Sequence, residues 1–161
     1  HRSSLAMNTG RWAEAAKAAV YCSGLDPSSN LVAALAQYEA DQRPEALASF
    51  LHGAINAPRA ARILLGERTT KPRSSDEARD HNSGVHYSHA LHAYLARNPA
   101  GMRFFAHVLK DARVRALLDE SEAVVRRWHD QRLTGNREAL DRRRAGHQVS
   151  ALRCARGGAR P

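Results

Sequence analysis

Two alanine-rich stretches follow one scheme, and their spacing limits the possible folds more than any other feature of the chain. The stretches are GRWAEAAKAAVYCSGLDP at positions 10–27 and RPEALASFLHGAINAP at positions 43–58. Each contains Glu-Ala, then a small residue seven positions after the alanine, Cys22 or Gly53, and then a proline, Pro27 or Pro58. The prolines are 31 residues apart. A period of roughly 20 to 50 residues is typical of stacked helical arrays.

The small residues predict close packing between helices. Ala15 and Cys22, like Ala46 and Gly53, lie two turns apart on one face of a helix and have almost no side chain. Another helix can approach closely at such positions. Proline ends each unit because it cannot continue the helix before it, although it fits the first turn of the next helix. We therefore predict that each unit is a pair of helices.

The composition favours an all-α fold. A chain of 161 residues can form one domain with a core. Aromatic residues make up only 6%, and alternating apolar runs bounded by hairpin turns are missing from the sequence, which disfavours strands. We predict roughly seven α-helices.

The two stretches resemble the tetratricopeptide repeat (TPR). The first matches it at Gly10, Trp12, Ala15, Cys22, Asp26 and Pro27, and the second at Ala34, Ala46, Phe50, Gly53 and Pro58. A third copy at the same interval would have a small residue at position 84 and a proline at position 89. The chain has Gly84 at the first position but His89 at the second. The region from Asn56 to the NPAGMRFF stretch is loosely similar to bacterial TPR-like relatives of the suppressor-of-tumorigenicity-seven family. The alternative is an ordinary helical bundle whose alanine-rich helices share this spacing.

The resemblance implies a stack of antiparallel helical hairpins, a fragment of an α-solenoid, that binds a protein or peptide through its concave face. The TPR positions that tend to line this face correspond here to Leu35, Tyr38, Glu39, Arg59 and Arg62. The two arginines resemble positions that some TPR domains use to hold an acidic peptide or a C-terminal carboxylate. The alternative interpretation is that they form a solvated helix face.

The middle of the chain predicts one short helix followed by a connector. A helix should run from Pro58 to Leu65, with Gly66 as its C-terminal stop. The polar stretch 67–84 is the best candidate for a flexible loop, with one helical turn near positions 76–79.

Three further helices are predicted after this connector. The apolar residues Tyr87, Leu91, Tyr94 and Leu95 fall on one stripe and predict a helix over 85–97. The next helix should begin at Pro99 and bend near Asp111. Asp119 and Glu122 approximate a capping pair for a last helix, which Gly135 should end. Trp12 and Trp128 are predicted to belong to the core.

The net charge of +9 is concentrated at the C-terminus. Positions 135–161 contain seven arginines against Glu138 and Asp141. We therefore divide the chain into a helical domain at 1–134 and a basic, largely mobile Arg/Gly-rich tail at 135–161. Weak contact with nucleic acid through this tail is the first alternative function, and a merely solubilising end is the other interpretation of its charge.

The histidines suggest a metal site, but their spacing argues against one. His86, His89 and His92 are three positions apart, with His81 just upstream. On a helix His86 and His92 point about 120° apart, and neither cysteine nor carboxylate stands at metal-ligand spacing on that turn. A histidine-metal enzyme is the third hypothesis. Since phosphate-binding glycine loops and nucleophile motifs are also missing, we predict no enzyme activity, no catalytic residues, no cofactor and no metal.

The sequence predicts a cytoplasmic protein without a membrane partner. It has no apolar run near the roughly 18 residues of a spanning helix, and its first ten residues contain no signal-peptide core. Cys22 and Cys154 form no disulfide framework. Because the chain begins with His1, we expect residues upstream of it.

Overall fold

The computed structural model describes residues 2–130, with side chains to position 127, and every regular element in this range is an α-helix. The predicted all-α class is confirmed for these residues. The tail, Gly135 and the side chain of Trp128 lie outside the described part. The helices are Arg2–Asn8 (α1), Trp12–Cys22 (α2), Ser29–Glu39 (α3), Arg43–Asn56 (α4), Pro58–Leu64 (α5), Ser75–Ala90 (α6), His92–Arg97 (α7), Pro99–Lys110 (α8) and Ala112–Asp130 (α9).

Helix α3 lies at the centre of the fold. Its first eight residues, 29–36, are all buried. Helices α2 and α4 pack along it, and α8 covers a further side. A helix surrounded in this way must be apolar or small on most faces. The alanines of α3 meet that requirement, because their short side chains let the neighbouring helices approach closely.

Glycines mark the closest contacts within two antiparallel hairpins. A Cβ atom on Gly53 of α4 would lie 3.0 Å from the backbone nitrogen of Leu31, at the start of α3. A Cβ atom on Gly84 of α6 would lie 2.8 Å from Cα of Ala60, at the start of α5. The predicted close packing at Ala46 and Gly53 is confirmed, since both are buried.

The same prediction is wrong for Cys22, which is exposed. It is the last residue of α2, and the chain turns away directly after it. No close helix contact therefore requires a small residue there. In contrast, the glycine predicted for a third copy at Gly84 does lie at a close contact between helices.

The predicted helix over 85–97 is divided at Leu91 by a side chain from α1. In an unbroken helix the N–H of Tyr94 would bond to the carbonyl of Ala90. Instead, the Asn8 side chain donates to Ala90 O at 2.9 Å and accepts from Tyr94 N at 3.1 Å. The predicted stripe is nevertheless in the core, since Tyr87, Leu91 and Tyr94 are buried. Partly because of this division, the described residues form more helices than the roughly seven that were predicted.

Two boundary predictions are wrong. Residues 75–84 belong to α6 and not to a loop, because the Ser74 side chain caps this helix by accepting a hydrogen bond from the N–H of Glu77 at 3.1 Å. Asp119 and Glu122 do not begin a helix, since α9 starts at Ala112 and continues through them. The expected bend near Asp111 is a full break between α8 and α9.

The other boundaries near the middle of the chain follow the prediction. Pro58 and Pro99 open α5 and α8. Gly66 follows α5 with a positive φ of 81°, the backbone conformation in which glycine is favoured at a helix end. None of the described helices combines the length and the apolar character that crossing a lipid bilayer would require.

Candidate functional site: an arginine-lined cavity

The first turn of α5 is held by a carboxylate from α6. Asp80 accepts hydrogen bonds from the backbone N–H groups of Arg59 and Ala60, each at 2.9 Å. Burial raises the pKa of Asp80 to about 6, although the two backbone hydrogen bonds act in the opposite direction. Asp80 therefore fixes the start of α5 against α6, and with it the position of Arg59.

The Arg59 side chain is buried and bound to internal partners. It donates to the backbone carbonyl of Thr70 at 2.7 Å and to the Thr70 hydroxyl at 3.1 Å. It also lies 3.2 Å from the Glu77 carboxylate, and both charged side chains are only 6% exposed. Since an unpaired charge would be costly at this depth, Glu77 and Arg59 stabilise each other as a pair.

The connector between α5 and α6, residues 65–74, is attached at two points by this pair. One point is Thr70, through the hydrogen bonds of Arg59. The other is the backbone N–H of Arg73, which donates to the Glu77 carboxylate at 2.7 Å. The second half of the connector thus has defined contacts, in contrast to the flexible loop that the sequence predicted.

A network of ion pairs joins α9 to this hairpin. Arg62 of α5 lies 2.7 Å from Asp119 and 3.4 Å from Glu122. Arg126 lies 3.1 Å from Glu122 and 3.6 Å from Glu77. Each of these partly exposed pairs contributes little stability by itself. Together with the buried Arg59–Glu77 pair, they bring three arginines and three carboxylates from α5, α6 and α9 to one place.

These side chains and the connector line a solvent-accessible cavity of about 290 Å³, which we call the arginine cavity. It is lined by Arg59, Arg62, Arg68, Thr69, Thr70, Arg73, Glu77, Asp119, Glu122 and Arg126. Within the described range, the side chains of Arg68 and Arg73 have neither a hydrogen bond nor an ion pair. Five arginines face three carboxylates, so the lining carries two positive charges in excess.

A larger cavity of about 610 Å³ shares Arg59, Glu77 and Glu122 with the lining of the arginine cavity. Its carboxylates are bound by groups of the chain itself: Asp26 accepts from the Tyr87 hydroxyl at 3.0 Å, and Asp76 pairs with Arg79 at 3.1 Å. Because these acidic groups already have internal partners, the arginine cavity is the stronger candidate for a binding site.

The structure separates the five residues predicted to line a concave face. Arg59 and Arg62 both line the arginine cavity. Leu35, Tyr38 and Glu39 lie on α3, away from its lining. Neither arginine belongs to a simple solvated face, because Arg59 is only 5% exposed and Arg62 pairs with α9.

The three predicted residues on α3 make internal contacts. Leu35 is buried in the core. The Tyr38 ring packs against Phe104 of α8, with 5.2 Å between ring centroids. Glu39 accepts a hydrogen bond from the Tyr94 hydroxyl of α7 at 2.9 Å. Helices α7 and α8 therefore cover the part of α3 that was expected to form an open groove.

The predicted histidine group is split between two helices. His86 and His89 lie on α6, whereas His92 begins α7, and all three are exposed. Among the side chains that the structure describes, up to position 127, no three of His, Cys, Asp or Glu are grouped so that they could hold a metal ion.

Three arginines of the cavity were not predicted from the sequence: Arg68, Arg73 and Arg126. The first two lie in the stretch interpreted as a loop, and the third lies more than 60 residues from Arg62 in the sequence. One local signal was available: Ser74 followed by Glu77 is a capping pattern, and it would have placed the start of α6 beside Arg73.

Comparison with known proteins identifies no relative of this chain. Neither a protein-family model, nor a curated protein, nor a solved structure matches the chain significantly.

Proposed function

We propose that the chain is a non-catalytic, TPR-like helical scaffold that binds an acidic segment of another protein in the arginine cavity. The observation that carries this proposal is that Arg68 and Arg73 line the cavity without an internal acceptor in the described range. Internal carboxylates already pair with Arg59, Arg62 and Arg126. Two guanidinium groups therefore remain for a ligand, and carboxylates are their natural acceptors.

The hairpin geometry supports the TPR-like part of the proposal. Gly53 and Gly84 are 31 residues apart, which is the interval of the sequence repeat, and each lies where two antiparallel helices approach closely. The cavity is formed between the last of these hairpins, α5–α6, and helix α9. In a helical array, the ligand surface is built in this way from several successive elements.

The test is binding of short fluorescent peptides, measured by anisotropy. One peptide pool has a central pair of glutamates in randomised flanks, and the matched pool has a central pair of lysines. We expect the glutamate pool to bind and the lysine pool not to bind. The double variant Arg68→Ala/Arg73→Ala should bind the glutamate pool at least about tenfold more weakly, since charge-assisted hydrogen bonds contribute about 1.5–3 kcal/mol each.

The control variant is Arg103→Ala/Lys110→Ala, which removes two exposed cations from α8 outside the cavity. It lowers the net charge by the same amount, so it should keep full affinity if the cavity is the site. Equal losses in both double variants would show an unspecific charge effect and contradict the proposal. Circular dichroism should show that both variants are folded.

A further inference from the structure

The charge of the arginine cavity exceeds what one carboxylate can neutralise. After its three carboxylates are counted, the lining retains an excess of two positive charges. A glutamate or aspartate side chain supplies one negative charge. A phosphate monoester supplies about −1.5 to −2 at neutral pH, together with a tetrahedral set of strong acceptor oxygens. The charge of a phosphoryl group therefore matches the cavity more closely.

The unpaired donors are also of the chemical type that binds a tetrahedral group. Arg68 and Arg73 lie on either side of the Thr69–Thr70 segment, and all four residues line the cavity. Each guanidinium presents a planar fork of N–H donors that matches phosphate oxygens in pairs. One arginine suffices for bidentate binding of a planar carboxylate, whereas two unpaired arginines can each bind a different edge of a phosphoryl group.

Internal contacts hold this part of the connector in place. Thr70 receives two hydrogen bonds from the buried Arg59, and the backbone of Arg73 donates to Glu77. Arg68 lies two residues before Thr70 in the same segment. The backbone at Thr70 and Arg73 is thus held by internal contacts without a ligand, which reduces the entropy cost of binding.

We propose that the arginine cavity binds a phosphorylated serine or threonine side chain of a partner protein. This inference rests on the proposed function, because it names the acidic group of the segment that the scaffold would bind. The cavity of about 290 Å³ can enclose such a side chain but not a folded domain.

The surroundings favour a peptide over a nucleic acid. Nucleic-acid binding requires a basic surface that follows several phosphates. Positions 1–130 contain 17 lysines and arginines against 14 acidic residues, so the helical part is nearly balanced in charge. Asp119 at the cavity has a side chain that is 68% exposed, and it would repel a neighbouring phosphate of a polynucleotide.

The experiment compares three matched peptide pools that have the same randomised flanks and a central phosphoserine, glutamate or serine. Binding to the full chain is measured by fluorescence anisotropy. We expect the phosphoserine pool to bind at least tenfold more tightly than the glutamate pool, and the serine pool not to bind. Arg68→Ala/Arg73→Ala should abolish this preference, whereas Arg103→Ala/Lys110→Ala should keep it.

A conservative variant separates charge from geometry. Arg68→Lys/Arg73→Lys keeps both positive charges but removes the planar forks. It should bind the phosphoserine pool more weakly than the wild type and more tightly than the alanine variant. A lysine variant that binds as well as the wild type would show that the paired N–H geometry is unnecessary, and would overturn the argument that selects phosphate.

The other outcomes are also decisive. Equal binding of the glutamate and phosphoserine pools, with loss in the alanine variant, would overturn the phosphate inference and leave the proposed function standing. No binding of either pool would overturn both. Phosphoserine binding that survives Arg68→Ala/Arg73→Ala would place the site elsewhere and overturn the inference. Stronger binding of a single-stranded oligonucleotide at the same two arginines would identify nucleic acid as the ligand instead.

Discussion

Single residues without a side chain set the helix spacing. A Cβ atom on Gly84 would lie 2.8 Å from Cα of Ala60 and 2.9 Å from Cβ of Ile63. These neighbours belong to or adjoin the backbone and cannot rotate away. The closest neighbours of Gly53 include side-chain atoms of Leu31, which has more freedom to adjust. The two glycines therefore lie at similar helix contacts, but Gly53 should tolerate a larger side chain better than Gly84.

We expect Gly84→Leu to destabilise the fold by about 1–3 kcal/mol, because overpacking at the α5–α6 contact outweighs the better helix propensity of leucine. Gly53→Leu should act in the same direction with a smaller loss. Thermal unfolding measures both effects. Gly24→Leu is the control, since no atom lies within 4 Å of an added Cβ there. A Gly84→Leu protein that melts at or above the wild-type temperature would refute the close contact.

Asp80 makes stability depend on pH in a defined direction. Its pKa is raised from 3.8 to about 6 in the folded state, mainly by burial. The folded protein therefore holds this proton more tightly than the unfolded chain, and the resulting stabilisation is lost as pH rises between about 4 and 6. A pKa shift of this size corresponds to about 3 kcal/mol in the free energy of unfolding.

The comparison of wild type with Asp80→Asn isolates this effect, because the variant cannot titrate at this position. We expect the unfolding free energy of the wild type, relative to Asp80→Asn, to fall by up to about 3 kcal/mol between pH 4 and pH 7. Urea denaturation at both pH values measures it. A difference between the two proteins that stays constant with pH would contradict the raised pKa.

At the scale of elements, α5 and α6 are held together by polar contacts as well as by packing. Asp80 of α6 binds the first turn of α5, and Glu77 of α6 pairs with the buried Arg59. Ser74 caps α6 at the point where the sequence suggested a loop. These contacts make α5, the connector and α6 one structural unit, on which the position of the arginine cavity depends.

The two arginines predicted to bind a peptide should differ strongly in their effect on stability. Arg59→Ala leaves the Glu77 carboxylate without its main partner in a buried position and should cost about 3–5 kcal/mol. Arg62→Ala removes pairs with Asp119 and Glu122 that are partly exposed, and should cost only about 0.2–1 kcal/mol. Denaturant unfolding distinguishes them, and equal losses would contradict the assigned burial. For this reason Arg68 and Arg73 are better positions for testing ligand binding.

At the scale of the whole molecule, charge is divided between two parts of the sequence. Positions 1–130 are nearly balanced, whereas positions 135–161 hold seven arginines and two acidic residues. The two regions therefore suit different ligands. A local excess of charge in the arginine cavity favours one compact anion, and the dispersed arginines of the C-terminal region favour contact with many phosphates.

Any binding of single-stranded RNA by the full chain should weaken steeply between low and physiological salt, because counterions are released from the phosphates. Deletion of residues 135–161 should remove this binding and leave phosphoserine-peptide binding unchanged. Anisotropy titrations at several salt concentrations test both statements. RNA binding that survives high salt or the deletion would contradict the assignment to the C-terminal region.

The sequence by itself determined the features that depend on neighbours along the chain. Alanine content and apolar spacing predicted an all-α fold, which the described residues have. Pro58, Pro99 and Gly66 marked helix ends, because restricted or permissive backbone angles act locally. The repeat interval located two close helix contacts, at Gly53 and Gly84, although it failed at Cys22.

Only the tertiary structure decided the features that depend on residues far apart in the sequence. Asn8 divides the helix at Leu91, although more than 80 positions separate them. Arg59 is buried because Glu77 and Thr70 fold over it, which its own position on a helix could not reveal. The arginine cavity likewise combines α5, the connector, α6 and α9. Helix periodicity assigns a residue to a face, but only packing decides whether another part of the chain covers that face.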